Sequence, residues 1–301
     1  MTAPGTGAGA GGGEGTGAGV AAGHRTGNGG PLRAGGSEAP PASYSATTAR
    51  TFMAIFGRDV AVTARELPTF MAQVIVQPLF LLFVFGKVLG QLGYTRPGYT
   101  ELLFPGIVAL TSVITGLQGV ALPLVIELSF TMEIEDRLMA PIPTSLVAIE
   151  KVLFAALRAV VAAAVMFPVG VLMLGSIPWR AAAAPTVVLM VVLGAVVGAT
   201  MGLVMGTLVP PNRISVAFSL VLTPLLFTGS SQYPWRSLQS LRWFQAVAAC
   251  NPLTYVSEGL RGAMVPGVPH ISAWVCAIAV GAFIVALTLF GMRGFARRTL
   301  T

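Results

Sequence analysis

Residues 181–212 read AAAAPTVVLMVVLGAVVGATMGLVMGTLVPPN, with no charged residue between Arg180 and Arg213. A run this long and apolar exceeds the roughly 20 residues that a helix needs to cross a bilayer. Further charge-free intervals run 67–86, 102–126, 159–179, 214–235 and 262–292. Together they place spanning helices near 69–88, 103–126, 150–174, 183–208, 213–231 and 271–291. The chain thus reads as an all-α membrane protein with six transmembrane helices.

Composition agrees. Of the 301 residues, 54% are hydrophobic and 10% charged, and the mean hydropathy is +0.80. Soluble domains carry roughly 25% charged residues, so a water-soluble globular protein is excluded and membrane lipid is the expected surrounding. The net charge of +7 comes from scattered arginines, with no basic run between aromatics, which excludes nucleic acid as a partner. Cys250 and Cys276 build no disulfide framework, and neither belongs to a CxxC.

The first 48 residues hold 15 glycines and little that is large and apolar. Such a segment cannot bury enough surface to offset its ordering entropy, so residues 1–48 read as a disordered Gly/Ala-rich tail ahead of a membrane domain at 49–301. No apolar core follows a basic start, so the tail is not a secretory signal. His24 has no neighbouring ligand in it. From Thr51 the pattern changes: Phe52, Ile55, Phe56, Val60 and Thr63 fall near helical spacing, against polar Arg50, Arg58, Arg65 and Glu66. An amphipathic helix over Thr51–Glu66, lying in the membrane interface and stopping at Pro68, fits this. A solvated helix leading into the first span fits equally.

Six spans put both termini on one side. Arg50, Arg58, Arg65, Arg137, Lys151, Arg213, Arg293, Arg297 and Arg298 then share a side against Lys87, Arg96, Arg180, Arg236, Arg242 and Arg261. That bias, with the tight basic loop at Arg213 and the basic C-terminal end, points both termini into the cytoplasm. A further interval, 243–257, is charge-free but only 15 residues long. It is too short to cross and too apolar for a plain loop, which makes re-entrant or interfacial helices at the outer face, before span six, the better reading.

Span four carries Gly194, Gly198, Gly202 and Gly206 at four-residue spacing, on one face. Such a stripe lets a helix approach closely, whether inside the protomer, at a subunit contact or along a path for cargo. Arg158 is the one charge well inside an expected span. It either faces a polar interior or snorkels toward the cytosolic interface, near Glu150 and Lys151.

The missing chemistry is equally informative. The only lysines, Lys87 and Lys151, follow no GxxxxGK[ST] pattern, so no phosphate-cradling loop is present. No His/Cys/Asp/Glu cluster has metal spacing, His270 stands alone at a span edge, and two histidines assemble no Ser-His-Asp set. No Asp or Glu falls in a span core, which argues against a proton-coupled carrier and against a membrane-embedded enzyme.

Two polar segments remain. After span two, Glu127 is followed by Glu133, Ile134, Glu135, Asp136, Arg137, Leu138 and Met139, then the Pro141-x-Pro143 stop. A short helix with one acidic and one apolar face could dock on a soluble partner there; a solvated linker is the alternative. Before the last span stands Asn251-Pro252-Leu-Thr-Tyr255-Val-Ser-Glu258-Gly-Leu-Arg261. Glu258 and Arg261 are three apart and can pair on a helix, with Tyr255 on the same side. If that pair braces the outer helices, a reciprocal charge swap is expected to restore part of what a single substitution loses.

The acidic loop with Arg137-Leu138 and Pro-x-Pro, followed later by Asn-Pro-Leu-Thr-Tyr-x-x-Glu-x-x-Arg, resembles the ABC-2 type permeases over about residues 50–300. Within these it is similar to the daunorubicin-resistance and nodulation-factor exporter branch. The resemblance implies a six-helix membrane subunit that works as a pair with two separate ATPase subunits. The subunit itself would not be an enzyme, would bind no cofactor and would leave ATP and Mg2+ to its partner. It implies an amphipathic helix at Thr51–Glu66, a cytoplasmic coupling helix within Glu127–Pro143, and outer re-entrant helices within Ser237–Gly262. It transfers no substrate-binding residues, and the glycine-rich tail lies outside it.

The expected function is the permease subunit of an exporter in the cell membrane, most simply a homodimer of permeases, moving a hydrophobic or amphipathic small molecule outward by alternating access. Twelve methionines and 16 phenylalanines suit a pliable apolar path, though lipid contact and packing account for most of them. A polysaccharide or lipid-linked glycan exporter is the alternative, disfavoured by only four Trp and five Tyr. A non-transporting membrane scaffold is the reading from a different class.

Overall fold

The computed structural model describes residues 44–95, 98–127, 144–177 and 179–299, and every regular element among them is helical. Helix α1 is Tyr44–Leu81, continued by a π-helical stretch, Leu82–Val88, and a last turn, Leu89–Gln91. It is followed by α2 (Tyr99–Ile126), α3 (Thr144–Leu174), α4 (Ala184–Leu208), α5 (Ile214–Thr228), α6 (Arg242–Ala249), α7 (Pro252–Met264) and α8 (Ala273–Thr299). Among the described residues, five stretches are long and apolar enough to cross a membrane: Pro68–Gln91, Tyr99–Ile126, Leu146–Leu174, Ala181–Leu208 and Ala273–Ala296.

Three expectations change. The first helix does not stop at Pro68. It runs on through Pro68 and Pro78, because in an apolar span a proline costs one ladder hydrogen bond without water waiting to compete for the rest. Its start at Tyr44 also takes in residues assigned above to the tail. The interval at 213–231 forms only the 15-residue α5, a rise of about 22 Å where the hydrocarbon core is about 30 Å. Even so, α5 starts where α4 finishes and ends beside Asn251, whose Nδ2 donates to Thr228 Oγ1 at 2.9 Å at the other end of the bundle.

Helix α2 is the centre. Of its most apolar 18-residue window 78% is buried, against 11% for the α1 span and 17% for α8. Leu103, Phe104, Ile107, Val108, Val113, Leu117 and Ala121 of α2 are buried against α4, α3 and α7. Helix α8 closes the far side of α4 and α7, while α1 lies on α3 and α2. The π turn loosens the α1 ladder near Gly86, whose carbonyl accepts from Thr100 Oγ1 at 3.1 Å and ties the end of α1 to the start of α2.

The two ends of the bundle differ. Trp179, Trp235, Trp243 and Trp274, with Tyr94, Tyr99, Tyr233 and Tyr255, all fall at the end where α2 begins and α3 finishes. Trp243, Trp274 and Tyr94 are largely exposed there. Amphipathic rings gathered at one level mark a membrane–water boundary.

Candidate functional site

Helix α7 is built to start where it does. Asn251 caps it, its Oδ1 accepting from the Leu253 N–H at 2.9 Å, and Pro252 occupies the first turn, where a missing N–H costs nothing. The Asn251 amide meanwhile donates to the Leu225 carbonyl at 3.2 Å, fixing the end of α5. Thr254 Oγ1 donates to the Ala248 carbonyl at 2.6 Å, and Tyr255 Oη to the Ala249 carbonyl at 2.8 Å, which locks α6 to α7. Ser257 Oγ donates to the Gly229 carbonyl at 3.0 Å.

One turn further on, Glu258 and Arg261 are both fully buried and form an ion pair through Arg261 Nη1 and Glu258 Oε1. Their remaining valences go to the backbone of three other segments. Arg261 donates to the carbonyls of Ser230 (2.8 Å), Ser231 (3.4 Å) and Leu102 (3.2 Å). Glu258 accepts from the N–H of Trp235 (3.0 Å) and, more weakly, of Ile271 (3.4 Å). The pair therefore joins the start of α2, the loop after α5, α7 and the approach to α8. Burial pulls Arg261 below its ordinary value and the Glu258 carboxylate opposes this; an arginine stays charged in either case.

These partners argue against the expected rescue by a charge swap. Every backbone group facing position 261 is a carbonyl and every one facing 258 is an N–H. Reversing the charges would set a carboxylate against three acceptors and a guanidinium against two donors.

Several of these partners carry no motif. Ser230 holds a left-handed backbone (φ 50°) with its residue wholly buried, a conformation that costs a non-glycine residue about 1–2 kcal/mol. Gly106 of α2 lets this loop lie against the helix, since a Cβ there would stand 1.7 Å from the Ser231 carbonyl oxygen. The small-residue run Gly229-Ser230-Ser231 is the one signal in sequence that the chain comes close to another backbone here.

The four stripe glycines face α2 and α7. A Cβ on Gly198 would lie 2.1 Å from the Val113 carbonyl oxygen and one on Gly202 2.4 Å from that of Leu117. At Gly194 it would meet Ser112 and Val256, and at Gly206 the side chain of Leu124. Arg158 lies half-buried with its guanidinium carbon 4.1 Å from the centre of the Phe70 ring on α1, a cation–π contact between α3 and α1. At the end of the bundle away from the aromatics, Glu127 and Lys151 form a 2.5 Å ion pair that joins the end of α2 to α3. Glu133, Ile134, Glu135, Asp136, Arg137, Leu138, Met139, Pro141 and Pro143 lie outside the described residues.

The ABC-2 type transporter family matches residues 50–265, well over half of the chain. The chain belongs to the ABC-2 type transporter family. Its match runs from α1 through α7 and takes in the Glu258–Arg261 pair, so the buried cluster sits inside the family's own domain. No curated protein matches the chain. ABC-2 permeases are the membrane components of transporters, not themselves catalytic, and normally work with an ABC ATPase partner. The chain is accordingly a multi-pass membrane transporter permease.

Proposed function

We propose that this permease exports a hydrophobic or amphipathic small molecule from the cytoplasm across the cell membrane, driven by a separate ATPase that carries ATP and Mg2+. The observation that supports this best is the family match over a bundle with five stretches long and apolar enough to cross a membrane among the described residues. Helix α5 is the sixth crossing, its short length met by α6 and α7 re-entering from the aromatic end. Both termini then lie in the cytoplasm, with the aromatic end outward. Two copies with two ATPase subunits make the working complex, as in the drug-export branch that the motifs resemble. ATP-driven closure of the ATPase pair moves the α2–α3 connection and, through it, the spans.

The grip is the segment Glu127–Pro143. In sequence it connects α2 to α3 and combines a charge cluster with apolar Ile134, Leu138 and Met139 at helical spacing, the anatomy of a specific interface. The alternative cytoplasmic connection, at 209–213, is too short to form one. The test is Leu138→Asp or Glu135→Arg in the reconstituted complex. Both are expected to abolish ATPase co-purification and transport while insertion and dimerisation persist. Wild-type recovery of the ATPase with unchanged transport would sink the assignment.

A further inference from the structure

At the aromatic end of the bundle, the 3-10 turns of Trp235–Ser240 and the first half of α6 form a cleft of about 570 Å³. Trp235, Arg236, Gln239, Arg242, Gln245 and Ala246 line it. Two hydrogen bonds close its back. Trp235 Nε1 donates to the Gln245 carbonyl at 3.1 Å, and Gln245 Nε2 donates to the Trp235 carbonyl at 3.3 Å. The Trp235 N–H is itself held by Glu258 at 3.0 Å. The cleft wall is thus fastened to the buried pair, so its frame is set before any ligand arrives.

The charge of this cleft is uncompensated. Arg236 and Arg242 are both exposed, and among the described residues neither guanidinium has an ion-pair partner. No acid lines the cleft. The sequence holds no Asp or Glu between Glu150 and Glu258, and Glu258 is wholly buried on Arg261. Guanidinium forks take phosphate oxygens through paired, charge-assisted hydrogen bonds, so two of them in one cleft call for a phosphate-bearing anion.

Helix α6 indicates which kind of anion. Its side chains fall on three faces. Ala248 is buried and Phe244 half-buried, while Arg242, Gln245 and Ala246 line the cleft. Trp243 and Val247, four apart, stay exposed, with Leu241 exposed just before them. A cationic cleft therefore stands beside an apolar strip of the same helix, at the end where the tryptophans mark the membrane–water boundary. A helix of this kind lies in the interface with its apolar side among acyl chains. A free anion would fill the cleft and leave the strip unused, whereas a lipid engages both.

We infer that this cleft binds the headgroup phosphate of an anionic glycerophospholipid from the leaflet at the aromatic end, with Trp243 and Val247 against its acyl chains. The site is separate from any cargo path and stands whatever the cargo or its direction.

The test titrates the full chain, purified in dodecylmaltoside, with palmitoyl-oleoyl phosphatidylglycerol and counts bound lipid by native mass spectrometry. One tightly held phosphatidylglycerol per chain is expected, with no equivalent for phosphatidylcholine. Arg236→Gln/Arg242→Gln changes exposed side chains alone and should weaken binding about thirtyfold, the contribution of two arginines at an anionic surface. Trp243→Ser/Val247→Ser should weaken it about fivefold through lost apolar contact. As a second readout, bimane is attached to Gln239→Cys in a Cys250→Ala/Cys276→Ala background in vesicles. Doxyl-labelled phosphatidylglycerol should quench it more than doxyl-labelled phosphatidylcholine at the same mole fraction. Bimane on Ile278→Cys, exposed on α8, should be quenched equally by both. The proposal is overturned by phosphatidylcholine binding as tightly, by an arginine variant that binds as wild type does, or by equal quenching at position 239. Displacement of the lipid by an excess of inorganic phosphate would also overturn it and give the cleft to a soluble anion.

Discussion

Glu258→Gln keeps the shape of the buried pair and removes its negative charge. Arg261 then stays charged and wholly buried, held by the carbonyls of Leu102, Ser230 and Ser231 and by the neutral amide oxygen of the new side chain. Removing one partner of a buried pair costs about 3–5 kcal/mol. The three carbonyl dipoles place this case near the lower figure, about 3 kcal/mol. Replacing both residues, as Glu258→Leu/Arg261→Met, often leaves stability unchanged at buried pairs. Here it would leave the N–H groups of Trp235 and Ile271 without their acceptor and take the guanidinium from the Leu102, Ser230 and Ser231 carbonyls, of which Ser230 keeps Ser257 Oγ at 3.2 Å, at about 1–3 kcal/mol for each group left unpaired that water cannot reach. The double apolar variant should therefore stay well below wild type, and the Glu258→Arg/Arg261→Glu swap should be worse than either single change. The assay is unfolding in mixed dodecylmaltoside and SDS micelles, followed by tryptophan fluorescence, with transport measured in parallel. A Glu258→Gln protein within about 1 kcal/mol of wild type, the range of exposed pairs, would refute the reasoning, as would a swap that regains more than half of the loss.

Gly198→Ala should destabilise by about 1–3 kcal/mol or more, because its methyl would lie 2.1 Å from the Val113 carbonyl oxygen. Gly281→Ala, with nothing within 4 Å, should be neutral or gain up to about 1 kcal/mol from helix propensity; the same micelle titration compares the two. Asn251→Ala should cost about 1–2 kcal/mol as a lost cap and further loosen the end of α5, which its amide holds at Leu225 and Thr228. Asn251→Asp keeps the cap but not the donors and should fall between Asn251→Ala and wild type in thermal aggregation after detergent extraction.

Five of the spans were legible because length and apolarity alone set them, as at 181–208, where no charge intervenes. The helix expected at 213–231 ends at Thr228 for a tertiary reason: the residues from Gly229 belong to a loop that is buried by Arg261, a residue some 30 positions on. Pro68 read as a stop because helix rules drawn from water-exposed termini were applied to a helix entering an apolar medium. Spacing shows that Glu258 and Arg261 can meet. It is silent on the polarity of the backbone each would face, and that polarity decides how the pair answers to substitution.

The close approach at Gly198 and Gly202 bears on motion. Side chains that interdigitate can change rotamer and let helices slide, whereas backbone resting on backbone has no such slack. Helices α2 and α4 are therefore one rigid body, with α7 fastened to it by the Glu258–Arg261 pair. Helices α1 and α5 are held far more lightly: α1 has 11% of its span window buried, and α5 has Leu225 as its one buried residue among those described. Motion delivered at the α2–α3 connection is therefore expected to carry α2, α4 and α7 together, with α1 and α5 shifting against them.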